Sequence, residues 1–251
     1  MLAAIQAAAC DAGDLALGYF NHGQLTSASI EMKAGNSPVT AADKAVDRLL
    51  HGRLREICPE AAWLSEETLD DGARLGQNLV FVVDPIDGTR GFMAGDPQWC
   101  VCVALVEAGR PILAVVHVPA LDETFIAARG QGAWRNGLRI QVSGQVELSG
   151  AKLAGPRFLL DRMAERHPGI VIARKIPSLA YRIALVADGR LDGNIAGANS
   201  HDWDLAAADL ILHEAGGVLV DHNNQTLQYN RHDTRHGVLY AGPRALVKQW
   251  L

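Results

Sequence analysis

The stretch that decides both fold and site is Leu79-Val80-Phe81-Val82-Val83-Asp84-Pro85-Ile86-Asp87-Gly88-Thr89. It opens with an unbroken apolar run, which predicts a buried β-strand. Pro85 cannot donate a backbone hydrogen bond and is expected to stop strand pairing. Gly88 permits a backbone angle that other residues avoid, just before a helix that is expected to start at Thr89. The stretch therefore predicts a strand, a turn and a helix N-terminus in direct succession.

The turn combines groups that suit phosphate chemistry. Asp84 and Asp87 offer carboxylate oxygens to a hard cation, and the bend frees the Ile86 carbonyl as a further ligand. The backbone N–H groups of Gly88 and Thr89, at a helix N-terminus, can receive a phosphate. Metal-assisted attack of water on a phosphate ester is the chemistry that this arrangement favours. A plain turn is the alternative, because Asp-Pro and Asp-Gly pairs are common turn formers.

Two further segments bear on that choice. The sequence Trp63-Leu64-Ser65-Glu66-Glu67-Thr68 reads as a short strand that ends in paired carboxylates, or simply as a solvated strand end. The segment 203–217 begins Trp-Asp and predicts an alanine-rich helix that stops at a glycine pair. Asp204 is predicted as the N-cap of this helix, and its position alone needs no other role.

Together, the three segments resemble the inositol monophosphatase family of Mg²⁺-dependent phosphatases. That family is marked by a strand-ending Glu-Glu, an Asp-Pro-Ile/Leu-Asp-Gly-Thr turn and a late Trp-Asp that opens a helix, and all three occur here in that order. The resemblance implies an α+β to α/β fold, a layered αβαβα sandwich with the site between its two halves. It also implies two or three Mg²⁺ ions, inhibition by millimolar Li⁺ and a small phosphorylated substrate.

The resemblance assigns roles residue by residue. Ligands of a first Mg²⁺ would be Glu66, Asp84 and the Ile86 carbonyl; Asp84, Asp87 and Asp204 would bind a second; a weaker third ion would use Glu66 and water. The catalytic candidates are Thr89, Asp43 and Glu66, with Thr89 and Asp43 polarising the attacking water. The candidates for phosphate or substrate binding are Gly88, Thr89, Asp87 and Arg182. Asp43 also has a purely structural interpretation, as part of a helix start capped by Thr40.

Composition agrees with an enzyme. The chain has 251 residues, 49% of them hydrophobic, and a net charge of −5, which argues against a basic surface for nucleic-acid polymers. No segment is long enough to cross a membrane, and the N-terminal apolar stretch lacks the basic region of a signal peptide. The four cysteines form no C-x-x-C pair, which predicts a reducing, cytoplasmic setting. A homodimer is a further expectation from the resemblance.

The chain divides into two predicted halves. Residues 1–142 are expected to form an α+β half, with a helix to about Phe20, a second from Thr40 to about Cys58, and an antiparallel sheet that carries most metal ligands. Residues 143–251 alternate helices and strands, as in an α/β half, and supply Asp204. We expect the halves to pack as one unit.

The substrate is less well defined by the sequence. In inositol monophosphatases an acidic residue a few positions before the late Trp-Asp binds ring hydroxyls, and here that place falls on Ala196 or Gly197. Residues 33–40 look more like the 3′(2′),5′-bisphosphate nucleotidase branch, in which Arg182 would pair with a second phosphate. Against that branch, Ile86 and Arg90-Gly91 stand where it usually has Leu and Lys-Glu, and residues 187–193 look more like the monophosphatases. A solvated helix arginine is the alternative. Histidinol-phosphate phosphatases share the motifs as well, with Asp202 as a candidate for a substrate amine or as a plain turn residue.

Overall fold

A computed structural model describes residues 1–33 and 37–250 of the chain. Residues 34–36, part of the nucleotidase-like segment, lie outside the described residues. The α-helices of the described part are α1 (Leu2–Leu17), α2 (Ala41–Ile57), α3 (Thr89–Met93), α4 (Arg157–Arg166), α5 (Leu179–Ala187), α6 (Asp202–Glu214) and α7 (Arg244–Val247). One turn of 3₁₀-helix covers Pro119–Leu121.

The β-strands of the described part are numbered in chain order in the same way. They are β1 (Ile30–Met32), β2 (Pro38–Thr40), β3 (Ala62–Ser65), β4 (Leu79–Asp87), β5 (Cys100–Glu107), β6 (Arg110–Val118), β7 (Glu123–Ala128), β8 (Ala133–Arg135), β9 (Leu138–Ile140), β10 (Lys152–Ala154), β11 (Val171–Ile172), β12 (Gly193–Ala196), β13 (Ser200–His201), β14 (Gly217–Asp221), β15 (Arg235–His236) and β16 (Leu239–Pro243).

Most strands belong to two sheets. A seven-stranded sheet has the order β3-β4-β5-β6-β7-β8-β9, and a five-stranded sheet has the order β11-β10-β12-β16-β14. In the larger sheet β3 pairs with β4 in parallel and every other neighbouring pair is antiparallel. The smaller sheet is mixed, since β10 is parallel to both β11 and β12 while β16 is antiparallel to β12 and β14.

Hydrophobic packing arranges these elements in five layers. Helices α1 and α2 bury their apolar faces on one side of the seven-stranded sheet. Helices α5 and α6 fill the space between the two sheets and form the largest core cluster with both of them. Helix α4 packs on the outer face of the five-stranded sheet, together with Leu246 of α7. The layered αβαβα arrangement expected from the sequence is therefore confirmed.

Three details differ from the sequence-based expectations. The β3–β4 pair is parallel rather than antiparallel, because a long loop between Ser65 and Leu79 returns the chain to the same end of the sheet before it pairs. Pro85 does not end the strand: β4 continues to Asp87, and the pairing with β5 skips residues between Asp84 and Asp87 in an irregularity that leaves Pro85 without a ladder bond to make. The first helix ends at Leu17 instead of Phe20.

Helix α6 also starts earlier than expected. Its N-cap is His201, and Asp204 is the third helical residue, where its carboxylate accepts the His201 backbone N–H at 2.6 Å. Asp204 is thus half of a capping box and not the cap itself. Among the described residues, no helix is long and apolar enough to cross a membrane.

The packing of α1 on the sheet can be tested at a glycine. A Cβ on Gly13 would lie 2.5 Å from the His117 ring and 2.7 Å from Pro119, whereas a Cβ on Gly52 of α2 would meet nothing within 4 Å. We expect Gly13→Ala to lower the free energy of unfolding by about 1 kcal/mol or more, because overpacking outweighs the gain in helix propensity.

The matched control is Gly52→Ala, which should raise the free energy of unfolding by up to about 1 kcal/mol, because it gains helix propensity without a clash. Urea unfolding followed by circular dichroism measures both changes. A Gly13→Ala protein more stable than the wild type would contradict the packing described.

Candidate metal and phosphate site

Three carboxylates meet where β4 ends and α6 begins. Oxygen atoms of Asp84, Asp87 and Asp204 all lie within 4.8 Å of one another. Asp84 and Asp87 are adjacent because the irregular pairing at the end of β4 turns both side chains toward the same side. Asp204 comes from the first turn of the helix packed between the sheets. The three residues proposed from the sequence as the second metal site therefore lie together.

Each of these carboxylates uses one oxygen to fix its orientation. Oδ1 of Asp84 accepts the Ile86 N–H at 3.0 Å, and Oδ2 of Asp204 accepts the His201 N–H at 2.6 Å. Oδ2 of Asp87 accepts two bonds from the start of α5. In the part of the chain that the structure describes, the second oxygen of each residue has no protein donor. The cluster thus offers one oriented, uncommitted oxygen per residue to a cation.

The start of α5 donates the hydrogen bonds to Asp87, and sequence reasoning missed the part that Ser178 plays there. Ser178 caps α5 by accepting the Tyr181 N–H at 2.9 Å, and its hydroxyl donates to Asp87 at 2.5 Å while the Ala180 N–H donates at 2.6 Å. Gly88 allows this approach, since its φ is +94° and a Cβ there would lie 3.1 Å from the Ser178 nitrogen. A serine before a predicted helix signals a cap, but nothing in the sequence says which distant carboxylate it meets.

Without a bound cation, the ionised form of this carboxylate cluster is electrostatically unfavourable. Asp84 is only 1% exposed. Burial, followed by the charges of Glu66, Asp87 and Asp204, raises the pKa of Asp84 well above its usual range. Burial and the charge of Asp87 raise the pKa of Asp204 in the same way. A bound cation would relieve both the desolvation and the mutual repulsion of these groups.

Glu66 and Glu67 follow β3 and are held next to the cluster. Lys33 bridges them, with its Nζ 3.1 Å from a carboxylate oxygen of Glu66 and 2.7 Å from one of Glu67. Burial raises the pKa of Glu67 to about 7 even though Lys33 opposes the shift. Buried Asp47 of α2 fixes the start of this segment by accepting the Ser65 hydroxyl at 2.5 Å. Lys33 is therefore a cation already present at the edge of the site.

Thr89 and Asp43 form the contact expected of the catalytic pair. The Thr89 hydroxyl oxygen lies 3.4 Å from Oδ1 of Asp43 and 3.0 Å from the Ile86 carbonyl oxygen, so its single proton can be donated to either acceptor. The other oxygen of Asp43 accepts the N–H and the hydroxyl of Thr40 in a capping box at the start of α2. Burial raises the pKa of Asp43. One oxygen of Asp43 thus serves the helix cap, as predicted, and the other faces the Thr89 hydroxyl.

Arg182 is not the solvated helix arginine that was one of its two interpretations. It lies half-buried on α5, and its Nε is buried with no hydrogen-bond partner. Burial lowers the pKa of the guanidinium, while the charges of Asp87 and Asp204 favour its ionised form. Arg182 therefore places a positive charge beside the carboxylate cluster, on the side of the middle helices.

A cavity of about 500 Å³ opens over these groups. Glu66, Asp84, Asp87, Thr89 and Asp204 line it, and so does Lys175, which sequence reasoning missed because an isolated lysine in a loop carries no signal. Ala196 is fully buried and outside the lining, so it cannot supply the missing acid. Asp202, a candidate for a substrate amine, is fully buried and bonded to the His236 ring and the Asn230 N–H, so that interpretation is wrong.

The donor set fits Mg²⁺. Carboxylates and one carbonyl are the oxygen ligands that this ion prefers, and an open cavity leaves room for the waters that it keeps. Two buried thiols, Cys100 and Cys102, lie close to Asp87, within 4.8 Å of its carboxylate. Neither thiol lines the cavity, so the metal ligands that the cavity offers are carboxylate and carbonyl oxygens.

A layered α/β fold with an acidic cavity of this kind defines a phosphoric monoester hydrolase of the metal-dependent class. The chain belongs to the inositol monophosphatase family, whose model matches residues 1–249. Members of this family are metal-dependent phosphatases that act on small phosphorylated substrates. The resemblance to this family that the three short motifs indicated is therefore confirmed over nearly the whole chain.

Individual relatives differ in what their names state. The chain is 35% identical over 200 residues to Nus factor SuhB of Salmonella typhimurium, which covers 75% of this chain and 73% of that protein. It is 32% identical over 227 residues to the 3′(2′),5′-bisphosphate nucleotidase CysQ of Aggregatibacter actinomycetemcomitans, covering 83% and 81%. The solved structure of a Thermotoga maritima IMPase superposes with a TM-score of 0.83 at 28% identity, covering 98% and 92%.

The carboxylate cluster predicts a large effect of metal on stability. We expect saturating Mg²⁺ to raise the free energy of unfolding of the wild type by about 1–3 kcal/mol, through preferential binding to the folded state. Asp84→Asn should abolish this gain, because the substitution removes a charge at the centre of the cluster. Asp14→Asn, an exposed aspartate of α1 outside the site, is the matched control and should keep the full gain.

Thermal and urea unfolding with Mg²⁺ or after exhaustive metal removal measure the effect. An unchanged stability of the wild type on adding Mg²⁺, or an equal gain in Asp84→Asn, would contradict the assignment of these carboxylates to a metal.

Proposed function

We propose that this chain is a Mg²⁺-dependent phosphomonoesterase that hydrolyses a small phosphate ester through attack by an activated water molecule. The observation that carries the proposal is the set of three oriented carboxylates with uncommitted oxygens, next to a threonine–aspartate contact and inside one cavity. Membership of the phosphatase family supports the reaction class. Family membership does not define the substrate or the number of ions, and both are proposed below.

Two or three ions fit the donors. Glu66, Asp84 and the Ile86 carbonyl would hold the first, and Asp84, Asp87 and Asp204 the second; a third would use Glu66 and water. When bound, Mg²⁺ supplies positive charge against the phosphate and lowers the pKa of a coordinated water. Sensitivity to Li⁺ is a further prediction, on the reasoning that Li⁺ competes at the more weakly held second or third position.

The chain's own groups position the nucleophile. The Thr89 oxygen can accept a hydrogen bond from the attacking water, and its own proton can pass toward Oδ1 of Asp43. Oδ2 of Asp43 stays bonded to Thr40, which fixes the carboxylate while Oδ1 receives the proton. The new P–O bond forms to the water oxygen, the ester P–O bond breaks, and solvent protonates the departing alkoxide.

Backbone and cationic groups would hold the phosphate. Gly88 and Thr89 begin α3, where the first N–H groups lack partners within the helix and can face phosphate oxygens. Asp87 would contribute through its metal, and Arg182 through its charge. These assignments place the phosphate over the end of β4 and its leaving group toward the mouth of the cavity.

A second candidate is a 3′(2′),5′-bisphosphate nucleotidase that converts adenosine 3′,5′-bisphosphate to AMP. Lys175 lines the cavity and is exposed, and Arg182 adds a second cation that the single-phosphate reaction does not need. The absence of an acid at Ala196 or Gly197 also disfavours an inositol ring. Histidinol phosphate is a third and weaker candidate, because Asp202 is unavailable to a substrate amine.

The substrate experiment compares inositol 1-phosphate, adenosine 3′,5′-bisphosphate and histidinol phosphate at saturating Mg²⁺, with phosphate release as the readout. Asp84→Asn is the blank, for which we expect a loss of at least about 10³-fold, or roughly 4 kcal/mol of barrier. If a second phosphate is bound by Lys175, Lys175→Met should lower kcat/KM for the bisphosphate about tenfold or more and leave the monophosphates unchanged.

Lys248→Met, an exposed lysine outside the cavity, is the matched control. A preference of at least about tenfold in kcat/KM for one ester, about 1.4 kcal/mol, would decide between the branches. Release of phosphate from none of the three, with Mg²⁺ bound, would overturn the substrate proposals.

The role of the Thr89 hydroxyl gives a separate prediction. Thr89→Ala should lower kcat by about 10²–10⁴-fold, because it removes the group that orients the water and relays its proton. Thr89→Ser keeps a hydroxyl at the same position and should stay within about tenfold of the wild type. Steady-state kinetics measure both, and Mg²⁺-dependent stabilisation checks that each variant still binds metal. An alanine variant as active as the serine variant would contradict the assigned role.

A homodimer and a cytoplasmic location remain predictions from the sequence. Sedimentation equilibrium of the purified chain tests the first, with a mass near twice 26.9 kDa expected for a dimer.

A further inference from the structure

A second cavity, of about 320 Å³, lies away from the carboxylate site and shares no lining residue with it. The start of β6, the end of β7, the second half of α6, β14 and the start of α7 form its walls. Among the described residues, its lining includes Arg110, Arg129, Arg244 and Asp209 together with apolar side chains. Its volume is at the lower end of the range for ligand pockets, so it suits a small molecule.

Three guanidinium groups line this cavity and are not neutralised there. Arg110 donates to the Leu227 carbonyl at 2.6 Å, and Arg129 donates to the carbonyls of Arg110 and Pro111 at 3.0 Å each. These bonds hold the side chains in place without cancelling their charge. The nearest carboxylate to Arg129 is that of Glu107, at 3.9 Å and half-exposed, so the pair is weak.

Of the three arginines, Arg244 has the fewest partners that could neutralise its charge. Within residues 1–33 and 37–250, its side chain has neither an ion pair nor a hydrogen bond, although it begins α7 at the rim of the cavity. An arginine at a helix start also faces the positive end of the helix, which is an unfavourable place for a cation. Nothing in the packing of α7 needs the guanidinium, because Leu246 and Val247 make its contacts with the core.

One acidic residue, Asp209, lines the cavity. Its carboxylate accepts the Tyr229 hydroxyl at 2.8 Å and lies near Arg110 and His213. Burial raises its pKa to about 6, which shows that the cations around it do not fully compensate its desolvation. Asp209 in the cavity and Glu107 beside Arg129 place two carboxylates against the three arginines, so the charge that remains is positive. The field in this cavity therefore favours an anion.

The remaining walls are apolar and come from Pro111, Leu210, Val218 and Leu219. We propose that this cavity binds a small molecule with a phosphate group, held by Arg110, Arg129 and Arg244, whose body packs on the apolar walls. Guanidinium groups match phosphate oxygens in charge and in geometry, which distinguishes such a site from a general basic surface. A nucleoside monophosphate has the size and the combination of anion and ring that the cavity accommodates.

The test is a calorimetric titration of AMP, and separately of adenosine, into the metal-free protein in Tris chloride at low ionic strength. Without Mg²⁺ the carboxylates of the first cavity oppose an anion there, and a substitution of Arg244 separates the two cavities because Arg244 lines the second and not the first. We expect AMP to bind at least about tenfold more tightly than adenosine. Arg244→Glu should weaken AMP binding about tenfold or more relative to the wild type, with little change in melting temperature, because Arg244 is exposed.

The matched control is Arg48→Glu, which makes the same charge change at an exposed position of α2 and should alter the dissociation constant less than about twofold. Arg110→Gln provides a second variant within the cavity and should also weaken AMP binding. Equal affinity for AMP and adenosine, or an AMP affinity that Arg244→Glu leaves within twofold of the wild type, would overturn the proposal.

Discussion

Mutual repulsion among carboxylates at the end of β4 is the constraint on which the site depends. Asp84 and Asp87 lie in the buried last part of β4, and Asp204 joins them from a helix between the two sheets. Carboxylates that lie this close together and this far from water stay ionised only when hydrogen-bond donors or cations offset their negative charge. The fold supplies part of it, through backbone and hydroxyl donors to one oxygen of each residue and through Arg182 and Lys33 at the periphery. Bound cations would supply the remainder.

The layered fold is what brings these charges together. The five layers place the N-termini of α5 and α6 at the end of β4. Ser178 of the α5 start therefore donates to Asp87, 91 residues away in sequence, and Asp204 of the first turn of α6 lies beside Asp84 and Asp87. Side chains on the opposite face of α6 meet a different environment. Asp209, farther along the same helix, lies among arginines rather than carboxylates. One helix thus links an acidic cavity at its start to a basic cavity at its middle.

Local features of the sequence predicted much of this structure. The apolar run before Asp84, the turn at Gly88 and the cap at Thr40 each depend on neighbouring residues, and each is found where the pattern indicates. Features that depend on distant residues were not predictable. The parallel pairing of β3 with β4 follows from the path of a long loop. The bond from Ser178 to Asp87 and the burial of Arg182 follow from how α5 packs, which no local pattern encodes.

The most direct test of the central claim is a crystal structure of the wild type grown with Mn²⁺, with anomalous diffraction to locate the ions. We expect at least two anomalous peaks, one in contact with Asp84, Asp87 and Asp204 and one in contact with Glu66, Asp84 and the Ile86 carbonyl. For Asp84, Asp87 and Asp204, the ligand should be the carboxylate oxygen that accepts no hydrogen bond from Ile86, Ser178 or His201. Saturating Mn²⁺ with no peak among Asp84, Asp87 and Asp204 would contradict it.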